Sequence, residues 1–140
     1  MKSYTLNITQ NFNAPISEVF AILSDHNQLS RTLGVPVKRI KDGKGSPNGV
    51  GSVRRLGPAP IGTQETVVTL EADRLIEYKI TKFGGPIQNH HGRQTFSKTD
   101  NGCKLSWEIT FSSFPIVGDG IAMALEAGIK RGLAALAKRM

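Results

Sequence analysis

Cysteine and long apolar runs are scarce in this sequence. The single cysteine, Cys103, excludes an intramolecular disulfide and fits a reducing compartment. No apolar run reaches the roughly 18 residues that a transmembrane helix needs. The N-terminal residues MKSYTLNITQNF alternate in polarity and lack the apolar centre of a secretory signal. We therefore expect a cytoplasmic protein.

Aromatic residues are also few, whereas basic residues are in excess. Six phenylalanines, two tyrosines and one tryptophan accompany a net charge of +7. The basic residues occur in small groups such as Lys38–Arg39 and Lys138–Arg139, without aromatic residues between them. A nucleic-acid surface would concentrate basic residues on one stripe and add aromatic side chains for stacking. We therefore expect no nucleic-acid partner. A solvated basic surface is favoured, with a weak preference for anionic ligands or a transient membrane contact.

Motifs of several common activities are missing as well. The chain has no Walker loop, no GxGxxG after a strand and no GxSxG elbow. No histidine, cysteine and carboxylate residues are grouped at metal-ligand spacing. Neither a metal nor another cofactor is therefore expected.

The elements that are present follow a regular order within a single domain, residues 1–140. Apolar and polar residues alternate from Tyr4 to Ile8, which predicts a half-buried strand. NAPISEVFAILSD has the apolar stripe of a helix. A second short helix is predicted over Gln28–Leu33, ending at Gly34.

The middle of the chain alternates strand-like runs with turn sequences such as KDGKGSPNG, FGGP and KTDNG. The predicted strands are Val37–Lys41, Val50–Leu56, Thr63–Glu71, Leu75–Phe83, Asn89–Ser97 and Cys103–Phe114. A long helix is predicted from about Asp119, its expected N-cap, to Lys138. Gly128 and Gly132 lie within it, and close packing is favoured over flexibility as their explanation.

Three segments in sequence order, APISEVFAILSD, GTQETVVTLEADRLIEYKI and HGRQTFSKTDNGCKLSWEITF, carry a resemblance to a known group. The chain resembles the helix-grip superfamily (SRPBCC) of START lipid-transfer domains, pollen-allergen-like proteins and polyketide cyclase/dehydrase-like proteins. The last branch is the most similar. The resemblance implies an α+β fold in which a seven-stranded antiparallel sheet wraps around a long C-terminal helix, with two short helices after the first strand. Such a sheet cannot fill its own interior, so we expect a ligand cavity between sheet and helix.

Strand alternation predicts which side chains face this cavity. The expected binding residues are Arg54, Ile76, Tyr78, Ile80, His90, Gln94, Phe96, Leu105, Trp107 and Ile109. Arg54 would reach inward and pair with a carboxylate of the ligand. Val68 and Leu70 are expected to face inward. Because side chains alternate along a strand, Glu65 should then face outward, although a bulge would reverse this. Access is expected near Phe83–Pro86 and Phe114–Gly118.

Two adjacent histidines need separate treatment. Neighbouring strand residues point to opposite faces, so His90 and His91 cannot share a metal ion. Counting back from Phe96 turns His90 inward, and a bulge at Gly92 would exchange the two. His90 is either a functional polar group on the wall or a histidine satisfied by water at the rim. It is also the one candidate catalytic residue.

Three classes of function are compatible with these patterns. The first is binding or transport of a hydrophobic or amphipathic small molecule, lipid or polyketide-like. The second is a cyclase or dehydratase in which His90 moves protons for an aldol closure or loss of water. The third is an interaction module that uses the basic surface. No oligomeric state is predicted.

Overall fold

The computed structural model describes residues 1–58 and 60–140. Its elements are β1 (Lys2–Phe12), α1 (Ile16–Ser24), α2 (His26–Leu33), β2 (Val37–Lys41), β3 (Val53–Leu56), β4 (Thr63–Glu71), β5 (Leu75–Lys82), β6 (Gln88–Thr99), β7 (Gly102–Ser113) and α3 (Pro115–Lys138). The predicted order of elements is confirmed. Within the described residues, no helix is long and apolar enough to cross a membrane.

All seven strands form one antiparallel sheet with the order β1-β7-β6-β5-β4-β3-β2. The edge strands β1 and β2 are joined through α1 and α2. The long helix α3 packs along β1 and against α2, while α1 packs on β6. The helices therefore cover one face of a curved sheet, and the helix-grip fold is confirmed.

Local sequence explains the two short helices. Val19, Phe20 and Leu23 recur at helical spacing in α1 and are buried. The Asp25 side chain accepts a hydrogen bond from the backbone N–H of Asn27 and thereby caps α2. Gly34 ends α2 in the left-handed conformation, with φ of 72°.

The start of α3 differs from the prediction. The helix begins at Pro115, with Phe114 as its N-cap, so the expected N-cap Asp119 is wrong. Proline suits the first helical position because its φ is already helical and its missing N–H leaves no donor unsatisfied. The Asp119 carboxylate instead accepts a hydrogen bond of 2.8 Å from the hydroxyl of Tyr4. This contact ties the first turns of α3 to β1.

The glycines of α3 have different surroundings. A Cβ at Gly132 would overlap the carbonyl oxygen of Thr32, so close packing of α3 on α2 explains this glycine. A Cβ at Gly118 would likewise overlap the ring of Tyr4. At Gly128, by contrast, a Cβ would meet no heavy atom of the described residues within 4 Å. Close packing therefore does not explain Gly128, which faces open space.

Candidate functional site

A cavity of about 260 Å³ lies between α3 and the middle strands of the sheet. On the helix side its wall is formed by Leu125, Gly128 and Ile129. Apolar side chains of the sheet, including Ile80 and Ile109, form most of the opposite wall. The open space beside Gly128 is therefore part of the cavity.

The structure separates the ten predicted binding residues into two groups. Six of them line the cavity: Arg54, Tyr78, Ile80, His90, Trp107 and Ile109. The other four are buried in the packed core farther along the strands: Ile76, Gln94, Phe96 and Leu105. There the ring of Phe20 packs edge-on against Phe96, with centroids 5.2 Å apart. Helix α1 thus closes one half of the sheet and leaves the cavity in the other half.

An ion pair crosses the cavity wall between β3 and β4. Arg54 and Glu65 are direct cross-strand neighbours, and the Arg54 Nε lies 2.8 Å from the Glu65 Oε1. Both residues are buried. Arg54 therefore reaches inward as predicted, but the carboxylate beside it belongs to the protein.

The predicted outward orientation of Glu65 is wrong because β4 contains a bulge. The pairing of β4 with β5 shifts by one residue between Val67 and Thr69. Val67 is 2% exposed, whereas Val68 is 38% exposed. The extra residue reverses the alternation of side chains along β4. The face of Glu65 that is inferred by counting back from Leu70 is therefore the wrong one.

Behind Arg54 lies a buried histidine that the sequence analysis missed. The Nδ1 of His26 is 3.4 Å from the Nη1 of Arg54, and its Nε2 is 2.9 Å from the Ser52 hydroxyl. A guanidinium only donates, so Nδ1 accepts and the proton resides on Nε2. Burial, with the charges of Arg54 and Arg39, lowers the pKa of His26 to about 4. His26 thus donates to Ser52 and cannot activate that hydroxyl as a base.

Tyr78 and Trp107 form a second polar contact on the wall. The Trp107 Nε1–H donates to the Tyr78 hydroxyl oxygen over 2.9 Å. Burial and the Glu65 charge raise the pKa of Tyr78, which keeps the phenol protonated. The guanidinium of Arg54 lies 4.5 Å from the ring centroid of Tyr78. Gly92 makes room for this ring, because a Cβ there would overlap it.

His90 lines the cavity, whereas His91 lies on the outer face near Glu77. The bulge of β6 falls between Gln88 and His91, not at Gly92, so the inward alternation continues from His90 to Phe96. The Nδ1 of His90 accepts the backbone N–H of Ile80 at 3.0 Å. This bond assigns the proton of the neutral ring to Nε2. Burial lowers the pKa of His90, although Glu65 opposes the shift.

Apolar residues surround the end of the sheet where this cavity lies. Val35 lines the cavity and is 43% exposed, and Ile87 lines it from the β5–β6 loop. Phe83 in that loop and Phe114 before α3 are also exposed, at 46% and 58%. The predicted access segments therefore lie at the end of the sheet that holds the cavity, and access through them stays a prediction. Val35 adds an exposed apolar residue at this end that was not predicted.

Comparisons with known proteins agree with this architecture. Residues 4–140 match the family described as polyketide cyclase/dehydrase and lipid transport. Among solved structures, a protein from Nitrosospira multiformis gives a TM-score of 0.73 at 17% identity, covering 97% of this chain and 96% of that one. Ara h 8.0201 gives 0.69 at 11% identity, with 99% and 100% covered. The Aha1 dimer from Colwellia psychrerythraea gives 0.67 at 14% identity, with 98% and 94% covered.

A search of curated proteins found no match. The structural similarities support the fold alone, because their sequence identities are low. The family match is evidence of family membership as well as of the fold, since it spans nearly the whole chain. The chain therefore belongs to the polyketide cyclase/dehydrase and lipid transport family.

Proposed function

We propose that this protein binds a hydrophobic or amphipathic small molecule, lipid or polyketide-like, between the sheet and α3, and sequesters or transfers it. The observation that carries the proposal is the apolar cavity that extends to Gly128. Burial of ligand carbon there contributes roughly 25 cal/mol per Å². Membership of a family described by lipid transport supports hydrophobic ligand binding in general.

The alternative, a cyclase or dehydratase, depends on proton transfer by His90. His90 lines the cavity beside Glu65, which is the observation in favour of this function. However, its Nδ1 already accepts the Ile80 N–H, and its Nε2 carries the proton. A proton shuttle would have to break that hydrogen bond in every cycle. Binding is therefore better supported than proton-transfer catalysis.

We also propose transient contact with an anionic membrane surface, through which a ligand would be collected or delivered. Exposed apolar residues gather at the cavity end of the sheet: Val35, Ile61, Phe83, Phe114 and Ile116. The net charge of +7 favours anionic lipids. Co-sedimentation with phosphatidylcholine vesicles should rise when phosphatidylserine is added, and Phe114→Ser should reduce it. Equal sedimentation with both vesicles would contradict this proposal.

We propose further that the protein is located in the cytoplasm, as its single cysteine suggests.

The binding proposal is tested by filling the cavity from the helix side. Gly128→Leu places a side chain in the open space, whereas Ala127→Leu places the same side chain on the exposed face of α3. Native mass spectrometry of freshly purified protein, followed by extraction, would identify any co-purified molecule. A panel of lipids and aromatic polyketides would then be tested by thermal shift.

We expect a bound or stabilising compound with the wild type and with Ala127→Leu, and loss of that compound with Gly128→Leu. If Gly128→Leu folds and still retains the compound, the binding site lies elsewhere. If the wild type is empty and no compound raises its melting temperature, storage or transfer is contradicted.

A further inference from the structure

We propose that the cavity selects an uncharged ligand whose polar end is an acceptor oxygen, as in a ketone or an ester. The inference rests on the proposed binding function and adds the chemical class of the ligand. It follows from the hydrogen bonds that the wall residues already make, because these bonds determine which donors and acceptors remain for a ligand.

The polar part of the wall carries no net charge. Among the described residues that line the cavity, Arg54 carries the one guanidinium and Glu65 the one carboxylate, and the two are paired at 2.8 Å. His90 and His26 each accept a hydrogen bond at Nδ1, which an imidazolium cannot do. Both rings are therefore neutral. An anionic ligand would lose its hydration and be repelled by Glu65, and a cationic ligand would lose its hydration and be repelled by Arg54. Neither ligand would find an unpaired charge of opposite sign to compensate for this loss.

The groups that remain for a ligand are mainly donors, although the Oε2 of Glu65 also makes no hydrogen bond within the described residues. Since the Tyr78 oxygen accepts the Trp107 N–H, the phenolic proton of Tyr78 is directed to another acceptor. His90 presents Nε2–H because its Nδ1 is occupied. The two hydrogen bonds of Arg54 use two of the five N–H donors of a guanidinium. Once a ligand displaces water from the cavity, these donors require acceptors, so an oxygen of the ligand would complete the wall.

The volume of the cavity limits the ligand further. Its 260 Å³ lies just below the roughly 300–1,000 Å³ that is typical of small-molecule sites. A ligand with one or two rings fits this space better than a lipid with two acyl chains. Naphthalene derivatives with different substituents are therefore suitable probes of the polar wall.

The test compares four naphthalenes by isothermal titration calorimetry with the wild-type protein. They are 2-acetylnaphthalene, its hydrocarbon counterpart 2-ethylnaphthalene, 2-naphthoate and 2-naphthylmethylammonium. We expect the ketone to bind about 2- to 10-fold more tightly than the hydrocarbon, as one neutral hydrogen bond would give. We expect both ions to bind at least about 10-fold more weakly than the ketone, because each leaves its hydration without a counter-charge.

Replacing the His90 donor gives a second, independent test. His90→Phe should lower the ratio of the ketone affinity to the 2-ethylnaphthalene affinity by about 2- to 10-fold. His91→Phe makes the same substitution on the outer face and should alter neither affinity. If His90→Phe does not fold, the comparison of the four compounds with the wild type remains decisive.

Two failures can be distinguished. If the hydrocarbon binds as tightly as the ketone, or if either ion matches it, while Gly128→Leu still blocks binding, the selectivity is wrong and the binding function stands. If none of the four compounds binds although the lipid and polyketide panel yields a ligand, this inference fails and the binding function stands. If Gly128→Leu leaves binding unchanged, the proposed function and this inference both fail.

Discussion

Alanine should stabilise the protein at Gly128 and should not stabilise it at Gly132, although both residues lie in the interior of α3. Alanine is favoured over glycine in a helix by about 1 kcal/mol. At Gly128 the new methyl group meets open space, so this gain should appear in full. The free energy of unfolding should rise by about 1 kcal/mol.

At Gly132 the same methyl group would overlap the carbonyl oxygen of Thr32. This oxygen belongs to the backbone of α2, so relief requires the two helices to separate. Overpacking of this kind costs about 1–3 kcal/mol, which cancels or exceeds the gain in helix propensity. Gly132→Ala should therefore be less stable than Gly128→Ala by about 1–3 kcal/mol.

Urea unfolding followed by circular dichroism measures both values. Gly120 and Gly118 provide a matched second pair in the same helix, since a Cβ at Gly120 meets open space and one at Gly118 overlaps Tyr4. Gly120→Ala should resemble Gly128→Ala, and Gly118→Ala should resemble Gly132→Ala. If Gly132→Ala stabilises the protein as much as Gly128→Ala, the close approach of α3 to α2 is refuted.

Three further predictions concern the buried polar residues. The proton of His26 binds with a pKa of about 4 in the folded state against 6.5 in the unfolded state, so stability should fall as the pH drops from 6.5 to 4. At pH 5 the loss due to His26 is about 2 kcal/mol, and His26→Phe should reduce the acid dependence by this amount in urea titrations. Glu65→Gln leaves the buried guanidinium of Arg54 without its carboxylate and should cost about 3 kcal/mol in the same assay. Gly92→Ala should displace the ring of Tyr78, cost about 1–3 kcal/mol and alter the near-ultraviolet circular dichroism.

Each of these predictions has a control with similar chemistry. Ser52→Ala is the control for His26, because it removes the hydroxyl that His26 contacts and leaves the histidine in place, and it should retain an acid-dependent loss of stability. Glu71→Gln breaks an exposed pair with Arg74 at the end of β4 and should cost less than about 1 kcal/mol. Unchanged acid dependence in His26→Phe, or equal effects of the two glutamate substitutions, would contradict the buried network. For Gly92→Ala, an unchanged aromatic spectrum would show that Tyr78 does not require the space above this glycine.

The element order and the inward faces of the long strands were predictable because they depend on local periodicity. The alternation around Trp107 and Ile109 in β7 continues without interruption, so it identifies their face directly. Alternation does not show how far the helices cover that face. Phe96 faces inward, as alternation predicts, but it lies under α1 because Phe20 packs on it. This contact joins residues that are far apart in the sequence.

Bulges and long-range hydrogen bonds limited the rest of the prediction. The bulge in β4 falls in a run of β-branched residues, Val67 to Thr69, where composition does not mark the extra residue. Glu65 was therefore assigned to the wrong face. The contact of His26 with Ser52 joins the start of α2 to the turn before β3. Ser52 lies in the predicted strand Val50–Leu56, but His26 lies outside the predicted helices and strands, so no local signal indicated that they meet.

The most direct test of ligand binding between sheet and helix uses Trp107. It is the one tryptophan of the chain, so its indole N–H gives a single cross-peak in a ¹H–¹⁵N spectrum. Trp107 lines the cavity and donates to Tyr78, which makes this peak sensitive to occupancy. Titration with 2-acetylnaphthalene should shift the peak to saturation in the wild type and in Ala127→Leu, and should leave it in place in Gly128→Leu. A peak that does not move in the wild type, or one that moves equally in all three proteins, would contradict binding in this cavity.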